Sequence, residues 1–262
     1  MKTAPIFFMI FFNFIFAQKK GIVYYGYIQS LTEGNAKGAD SNSYMVFNSS
    51  KSYYVTAKDS LESKAVLGGV VAYSKSYEGK RDYTGKRSAQ GDQVVLNLKE
   101  NRMYSRFFSG SAIYVLEDKP ILRWNIKKDI KKIGVFDCRK AEVLFRGRNY
   151  IAWFTDQIAV PFGPWKLNGL PGLILEAYDN DKNVFWYFKN VEYPTQNKEN
   201  VNNIRKAKNE KIVKFIDFKS FLAKCELIRQ DDIELNRTLS KQLNGVIFED
   251  PKLSDLFLEV EK

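Results

Sequence analysis

The chain has 262 residues, with 41 Lys and Arg against 30 Asp and Glu, no histidine and a net charge of +11. The lack of histidine excludes a Ser-His-Asp triad, a Cys-His catalytic pair and histidine-ligated zinc. Aromatic residues make up 15% of the chain, and because they suit half-buried strands, they indicate a β-rich protein.

The first 17 residues predict a cleavable export signal. Lys2 precedes an apolar run from Ile6 to Phe16, and Ala17 offers a small residue at the cleavage point. The run is shorter than the ~20 residues that a membrane-spanning helix needs. We therefore expect a mature chain that begins near residue 18, lies in the periplasm or outside the cell, and has no transmembrane segment.

Strand patterns then follow one another along the first half of the chain, separated by polar turns. They predict strands at residues 21–30, 43–48, 52–56, 93–98, 101–108, 111–117 and 121–126. Residues 58–83 mix charged residues with Gly and Tyr, which indicates a loop with one short strand or helix. Residues 127–132 predict a charged turn. Successive strands with local turns favour an antiparallel meander.

Two further hairpins are predicted in the second half of the chain. Their strands are expected at residues 141–145 with 150–154, and at residues 173–178 with 184–191. The first pair is joined by a predicted four-residue loop at residues 146–149. The second pair is joined by residues 179–183, which are rich in Asp and Asn, as turns commonly are.

The segment between these hairpins carries the densest local signal in the chain. Residues 163–172 contain three Gly and two Pro, and the apolar run Leu173-Ile174-Leu175 follows directly. Gly permits positive φ, whereas Pro fixes φ and removes a hydrogen-bond donor. The pattern predicts a rigid chain reversal that leads into a buried strand, and a side chain at position 172 would be costly if Gly172 has a positive φ.

A single long helix is predicted near the C-terminus, at about residues 217–243. Asp217 suits its N-cap, and residues 194–210 before it predict an exposed connection. Apolar residues at helical spacing predict the buried stripe: Phe218, Phe221, Leu222, Cys225, Ile228, Leu235, Leu239 and Leu243. We expect residues 18–262 to form one mainly β domain. It would be a single curved antiparallel sheet, like a half-barrel meander, with this helix packed on it.

Several short motifs occur in a fixed order within residues 121–190. They are Cys138-x-Lys140-Ala141, Gly147-Arg148, Ala152-Trp153-Phe154-Thr155, Pro161, Gly163-Pro164 and Gly169-Leu170-Pro171-Gly172-Leu173-Ile174. This order resembles the GLPGLI family, small exported proteins of Gram-negative bacteria. The resemblance implies export. The family has no assigned activity, so the resemblance implies no mechanism.

The two cysteines, Cys138 and Cys225, could form a disulfide, which an oxidising compartment permits. The favoured alternative is two buried free thiols, because a small apolar thiol is common in protein cores. A catalytic thiol would lack a histidine to activate it. The sequence contains no metal-ligand or cofactor motif, so neither a metal nor a cofactor is expected.

Two groups of residues are candidates for binding. Arg146 and Arg148 flank a Gly and could grip a carboxylate or phosphate. The alternative is a solvated hairpin tip whose arginines bridge to neighbouring carboxylates. Trp153, Phe154 and Trp165 lie near the Gly- and Pro-rich turn and could line a groove for a peptide or acyl chain. The alternative is that these rings close one end of the core.

These observations lead to three hypotheses about function. The first is an envelope-associated protein that binds a hydrophobic ligand, a peptide or an envelope partner, without catalysis and without nucleic acid. The second is a carboxylate-dependent envelope hydrolase using Glu176, Asp179 and Arg148. The third is a purely structural envelope subunit. An apolar cavity under the helix would favour the first, two carboxylates in one cleft the second, and a solid core the third.

Overall fold

The computed structural model describes residues 19–31, 33–38, 40–56, 91–109, 111–199, 201, 203–206, 214–243 and 247–259. The predicted export signal and the mixed segment 58–83 lie outside these residues. The described chain is mainly β, with one curved, open twelve-stranded sheet and a C-terminal helix. The predicted fold class is therefore confirmed.

The strands of the described chain are short to medium in length and run mostly antiparallel. They are β1 (Gly21–Gln29), β2 (Asp40–Phe47), β3 (Lys51–Thr56), β4 (Gln93–Asn97), β5 (Arg102–Ser109), β6 (Ser111–Asp118), β7 (Asn125–Ile133), β8 (Phe136–Phe145), β9 (Arg148–Thr155), β10 (Leu173–Asp179), β11 (Val184–Glu192) and β12 (Phe215–Ile216). Their order across the sheet is β12-β6-β5-β4-β3-β2-β1-β11-β10-β9-β8-β7. Only β12 pairs in parallel, with β6.

The N-terminal strand joins two antiparallel series at the middle of the sheet. Strand β1 pairs with β2 on one side, which continues the meander to β6. On its other side β1 pairs with β11, so that strands distant in sequence become neighbours. This central pairing brings the Gly- and Pro-rich turn before β10 to the same molecular core as the N-terminal strands.

The structure corrects the prediction at residues 121–132. Residues 121–124 are not in a strand, and the predicted charged turn is instead the edge strand β7. Lys128 and Lys132 on β7 are exposed. Lysines are typical of edge strands because their charge discourages pairing with another chain. The local charge pattern therefore resembles a turn although the backbone is extended.

Both faces of the central strands are covered. The main core lies on one face and includes Tyr25, Phe47 and Trp186. On the opposite face of β1–β4, a smaller cluster is covered by Val201 and Ile204. The connection after β11, predicted to be exposed, thus contributes two apolar side chains to the fold.

Helix α1 runs from Phe218 to Gln242 and is capped by Asp217, which accepts a hydrogen bond from the Ser220 backbone N–H at 2.7 Å. Its first half packs Phe221 and Cys225 on β6. Its second half departs from the predicted stripe, since Leu235 is 51% exposed and Ile233 is buried instead. No described helix is long and apolar enough to cross a membrane.

This shift of the stripe has a tertiary cause. Asn236 of α1 is buried and donates from its amide nitrogen to the backbone oxygen of Glu249 at 3.0 Å. The returning chain around Glu249 therefore packs on the second half of α1. The short helix α2 (Leu253–Leu256) follows and joins the cluster beneath the first half through Leu253. The burial of this half follows that segment rather than the sheet.

Cys138 and Cys225 are two buried free thiols, which confirms the favoured prediction, and the possible disulfide between them is not formed. Cys138 belongs to the main core, whereas Cys225 lies in the cluster beneath α1. Burial raises the pKa of each thiol to about 12. Both cysteines act as small apolar core residues.

The loop between β9 and β10 is held by backbone hydrogen bonds. The Gly169 N–H donates to the Pro161 oxygen at 3.0 Å, and the Leu173 N–H donates to the Ile158 oxygen at 3.0 Å. Gly169 has a φ of +91°, whereas the φ of Gly172 is not positive. Gly172 is required for a different reason: a Cβ there would lie 2.1 Å from the backbone oxygen of Thr155.

Replacing Gly172 with Ala is expected to destabilise the fold by roughly 1–3 kcal/mol, because the new methyl group would push against backbone rather than a mobile side chain. The exposed neighbour Pro171 provides the control, since Pro171→Ala should cost no more than ~1 kcal/mol. Urea denaturation of both variants measures the difference. Equal midpoints for the two variants would contradict the close-approach explanation.

Candidate binding site

A cavity of about 180 Å³ lies between the sheet, helix α1 and the C-terminal segment. The sheet contributes side chains from β1, β3, β4, β5, β6 and β11, and α1 contributes Phe221. The C-terminal segment contributes Leu256–Glu259, and the Gly- and Pro-rich turn contributes Trp165. Elements from both ends of the sequence therefore form one chamber.

The walls of the cavity are largely aromatic. Trp186 is fully buried and stacks on Trp165, with ring centres 6.1 Å apart and planes 14° from parallel. Tyr27 stacks on the Trp186 ring at 5.6 Å. The indole N–H of Trp186 donates to the hydroxyl of Tyr54 at 2.7 Å, which fixes the ring. Burial raises the pKa of Tyr54, so it remains a neutral phenol.

Trp165 occupies an unusual backbone conformation at this wall. Its φ is +54°, which is a rare value for a bulky residue and costs of order 1–3 kcal/mol. Its indole N–H is buried and has no hydrogen-bond partner in the described structure. Strained and unsatisfied groups of this kind concentrate at binding and catalytic sites.

A buried network of four charged side chains lies beside the cavity. The ammonium of Lys166, fully buried, contacts Glu117 and lies 2.7 Å from a carboxylate oxygen of Glu259. The guanidinium of Arg146 pairs with Glu117 and lies 3.6 Å from Glu259. Two cations and two anions balance each other, as buried charges must if they are not to destabilise the fold. Glu259 also lines the cavity.

The tight turn between β8 and β9 brings Arg146 into this network. Arg146 and Gly147 have φ values of +51° and +75°, as a two-residue hairpin turn with both central residues at positive φ requires. The predicted four-residue loop is thus wrong, because Arg148 already belongs to β9. The turn directs Arg146 inward, where its guanidinium lies 3.3 Å from the ring centre of Phe218.

Arg148 is also buried, in a neighbouring set of contacts. It pairs with Asp179 at 3.1 Å and donates to the backbone oxygens of Ser254 and Phe257. Asp179 additionally accepts from the Val184 N–H at 3.1 Å. Both arginines bridge to carboxylates, as the alternative of a hairpin tip expected, but they are buried and not solvated.

The C-terminal segment, residues 251–259, forms one wall of the site and is held there by buried polar contacts. Arg148 holds its backbone, and Lys166 holds the carboxylate of Glu259. Burial raises the pKa of Glu259, and the nearby Lys166 opposes that rise. The segment thus places an apolar run and one carboxylate against the chamber.

The three aromatic residues predicted to line a groove, Trp153, Phe154 and Trp165, do not lie at one site. Trp165 lines the cavity, but Trp153 and Phe154 do not. Phe154 is fully buried in the main core. Trp153 points to the opposite face of β9, where the Lys131 ammonium lies 4.4 Å from its ring centre.

Several residues that form the site were not predicted from the sequence to take part in it: Lys166, Glu117, Glu259, Trp186 and Tyr54. Phe221 was predicted only as part of the buried helix stripe. Lys166 offered one signal, since it stands alone as a charge within the turn between Trp165 and Leu167. The others come from distant strands and from the C-terminal segment. Their meeting depends on the sheet order, which local patterns do not reveal.

The carboxylates of the hydrolase hypothesis do not share a cleft. Glu176 faces away from Asp179 on β10 and pairs with Lys131 at 2.6 Å. Asp179 is saturated by Arg148, Asn183 and a backbone N–H. In the described part of the chain, no three His, Cys, Asp or Glu side chains group as a metal site would require.

Comparisons with known proteins agree with the fold and give no information on activity. A family model described as a protein of unknown function, Porph_ging, matches residues 146–176, which include the hexapeptide at residues 169–174. No curated protein sequence matches the chain.

Two solved structures of PNGF-II, in space groups P21 and C2, share the fold with TM-scores of 0.50 and identities of 14% and 15%. Each alignment covers 79% of this chain, which spans about a third of the PNGF-II chain, 33% and 32%. A likeness at this identity concerns the fold alone.

Proposed function

We propose that this chain is an exported member of the GLPGLI family that binds a small apolar group in the cavity beneath α1. The observation that carries the proposal is the aromatic chamber of about 180 Å³. An engineered cavity of about 150 Å³ with apolar walls binds benzene. A chamber of this size therefore accommodates one aromatic ring or a short alkyl chain.

Two features of the chamber favour binding over a purely structural role. A structural core closes on itself at high packing density, with few voids larger than a water molecule. Here the chain instead keeps Trp165 at positive φ beside an open volume. The position at the junction of sheet, helix and C-terminal segment is also typical of small-molecule sites.

Toluene binding tests the proposal. Toluene should raise the melting temperature of the protein in a concentration-dependent manner, because a ligand that binds only the folded state stabilises it. Ile113→Phe places extra volume in the cavity wall and should abolish the shift. Ile121→Phe, at a position 84% exposed, is the matched control and should leave it unchanged. An equal shift in Ile113→Phe and the parent, or no shift in the parent, would refute the proposal.

A further inference from the structure

The C-terminal segment places apolar side chains and one carboxylate at the cavity, the same groups that a fatty acid would bring. Its residues Leu256, Phe257 and Leu258 line the chamber, and Glu259 follows with a carboxylate on Lys166. An apolar stretch that ends in one carboxylate is the chemistry of a fatty acid. The segment belongs to the chain itself, so its contacts show which groups the chamber accepts.

The charges beside the cavity define a site for one anion. Lys166 and Arg146 face Glu117 and Glu259, so the four side chains are balanced only while Glu259 is in place. Without Glu259 the buried group holds two cations and one anion. A buried excess of one positive charge favours a replacement carboxylate strongly, because Lys and Arg then regain charge-assisted hydrogen bonds.

The remaining cavity wall suits a hydrocarbon better than a peptide. Several of its polar side chains already have partners within the protein: Tyr27 donates to Gln29, and Thr56 accepts from the Asp92 backbone N–H at 2.9 Å. An extended peptide would bring backbone N–H and C=O groups that need partners. An alkyl chain needs none, and its burial is favourable in proportion to the apolar area removed from water.

We infer that the site takes a medium-chain fatty acid, whose carboxylate replaces that of Glu259 on Lys166 and Arg146 while its alkyl chain enters the aromatic cavity. This inference rests on the proposed function and specifies its ligand. The C-terminal segment is then a tethered competitor, and its displacement enlarges the chamber beyond the volume open in the unliganded protein.

Octanoate and 1-octanol separate the anion site from the apolar cavity, because they share a chain and differ in charge. In the full-length Glu259→Gln variant, octanoate affinity measured by calorimetry should rise by at least about tenfold. Octanol affinity should change far less. Adding Lys166→Met to this variant should abolish the gain for octanoate and leave octanol binding intact. Glu249→Gln, which changes an exposed carboxylate just before the C-terminal segment, is the control and should change neither affinity.

Hydrogen exchange of the parent protein tests the displacement directly and does not depend on the folding of any variant. Saturating octanoate should speed exchange at the Asp255 and Phe257 amides, whose hydrogen bonds belong to the docked segment. If octanol binds but octanoate gains nothing in Glu259→Gln and leaves exchange unchanged, the fatty-acid inference is wrong and the apolar cavity stands. If neither probe binds, the proposed function fails and the inference fails with it.

Discussion

Lys166→Met should destabilise the protein by roughly 3–5 kcal/mol, the loss typical of breaking a buried ion pair from one side. The substitution leaves Glu117 and Glu259 facing Arg146 alone, with one buried negative charge in excess. Lys128→Met, at an exposed position on β7, is the matched control and should change stability by no more than about 0.5 kcal/mol. Chemical denaturation monitored by circular dichroism measures both.

The loss in Lys166→Met should also depend on pH. Burial raises the pKa of Glu259 in the folded protein, and removal of Lys166 should raise it further. A carboxyl whose pKa is raised by folding binds protons more tightly in the folded state, so stability falls as the pH rises. The variant should therefore recover part of its stability below neutral pH. A loss that is constant with pH would show that packing, and not charge, accounts for it.

Trp186→Ala should cost about 3–5 kcal/mol, as expected for truncating a large aromatic side chain in a core. The Trp186 ring is fully buried and stacks on both Trp165 and Tyr27. Trp186→Phe keeps a ring but loses the hydrogen bond to Tyr54, and should therefore cost less. Urea titrations of the two variants give the ranking, and equal losses would contradict it.

The same truncation should enlarge the cavity, because Trp186 forms one of its walls. Added indole should then fill the space and raise the melting temperature of Trp186→Ala in a concentration-dependent manner. The parent protein, whose Trp186 already occupies that volume, should respond less. An equal rise in the melting temperature of the parent and the variant would show that the indole binds elsewhere.

Most local structure was predictable from the sequence because it depends on neighbouring residues. The strand at residues 21–30 and the hairpin at residues 173–191 follow from apolar and aromatic runs with turn formers between them. The cap at Asp217 follows from a carboxylate placed to accept a helix N–H. Strand β7 was missed because its lysines reflect its position at the sheet edge, which only the strand order defines.

The candidate site was predictable in part and for a limited reason. Arg146, Arg148 and Trp165 lie within the motif-rich segment, so the sequence drew attention to them. Their partners Glu117 and Glu259 lie 29 and 113 residues from Arg146 in the sequence. No local pattern relates residues so far apart, because their contact depends on the pairing of β1 with β11 and on the return of the C-terminal segment.

The sequence by itself determined the class of the fold, the rigid turn before β10 and the chemistry that a chain without histidine cannot perform. Those properties depend on backbone preferences and on residue types. Only the tertiary structure decided that the arginines are buried, that the two cysteines are apart and that Lys166 joins two distant carboxylates. The reason is physical: burial and charge pairing are set by what surrounds a side chain, and most of that surrounding comes from elsewhere in the chain.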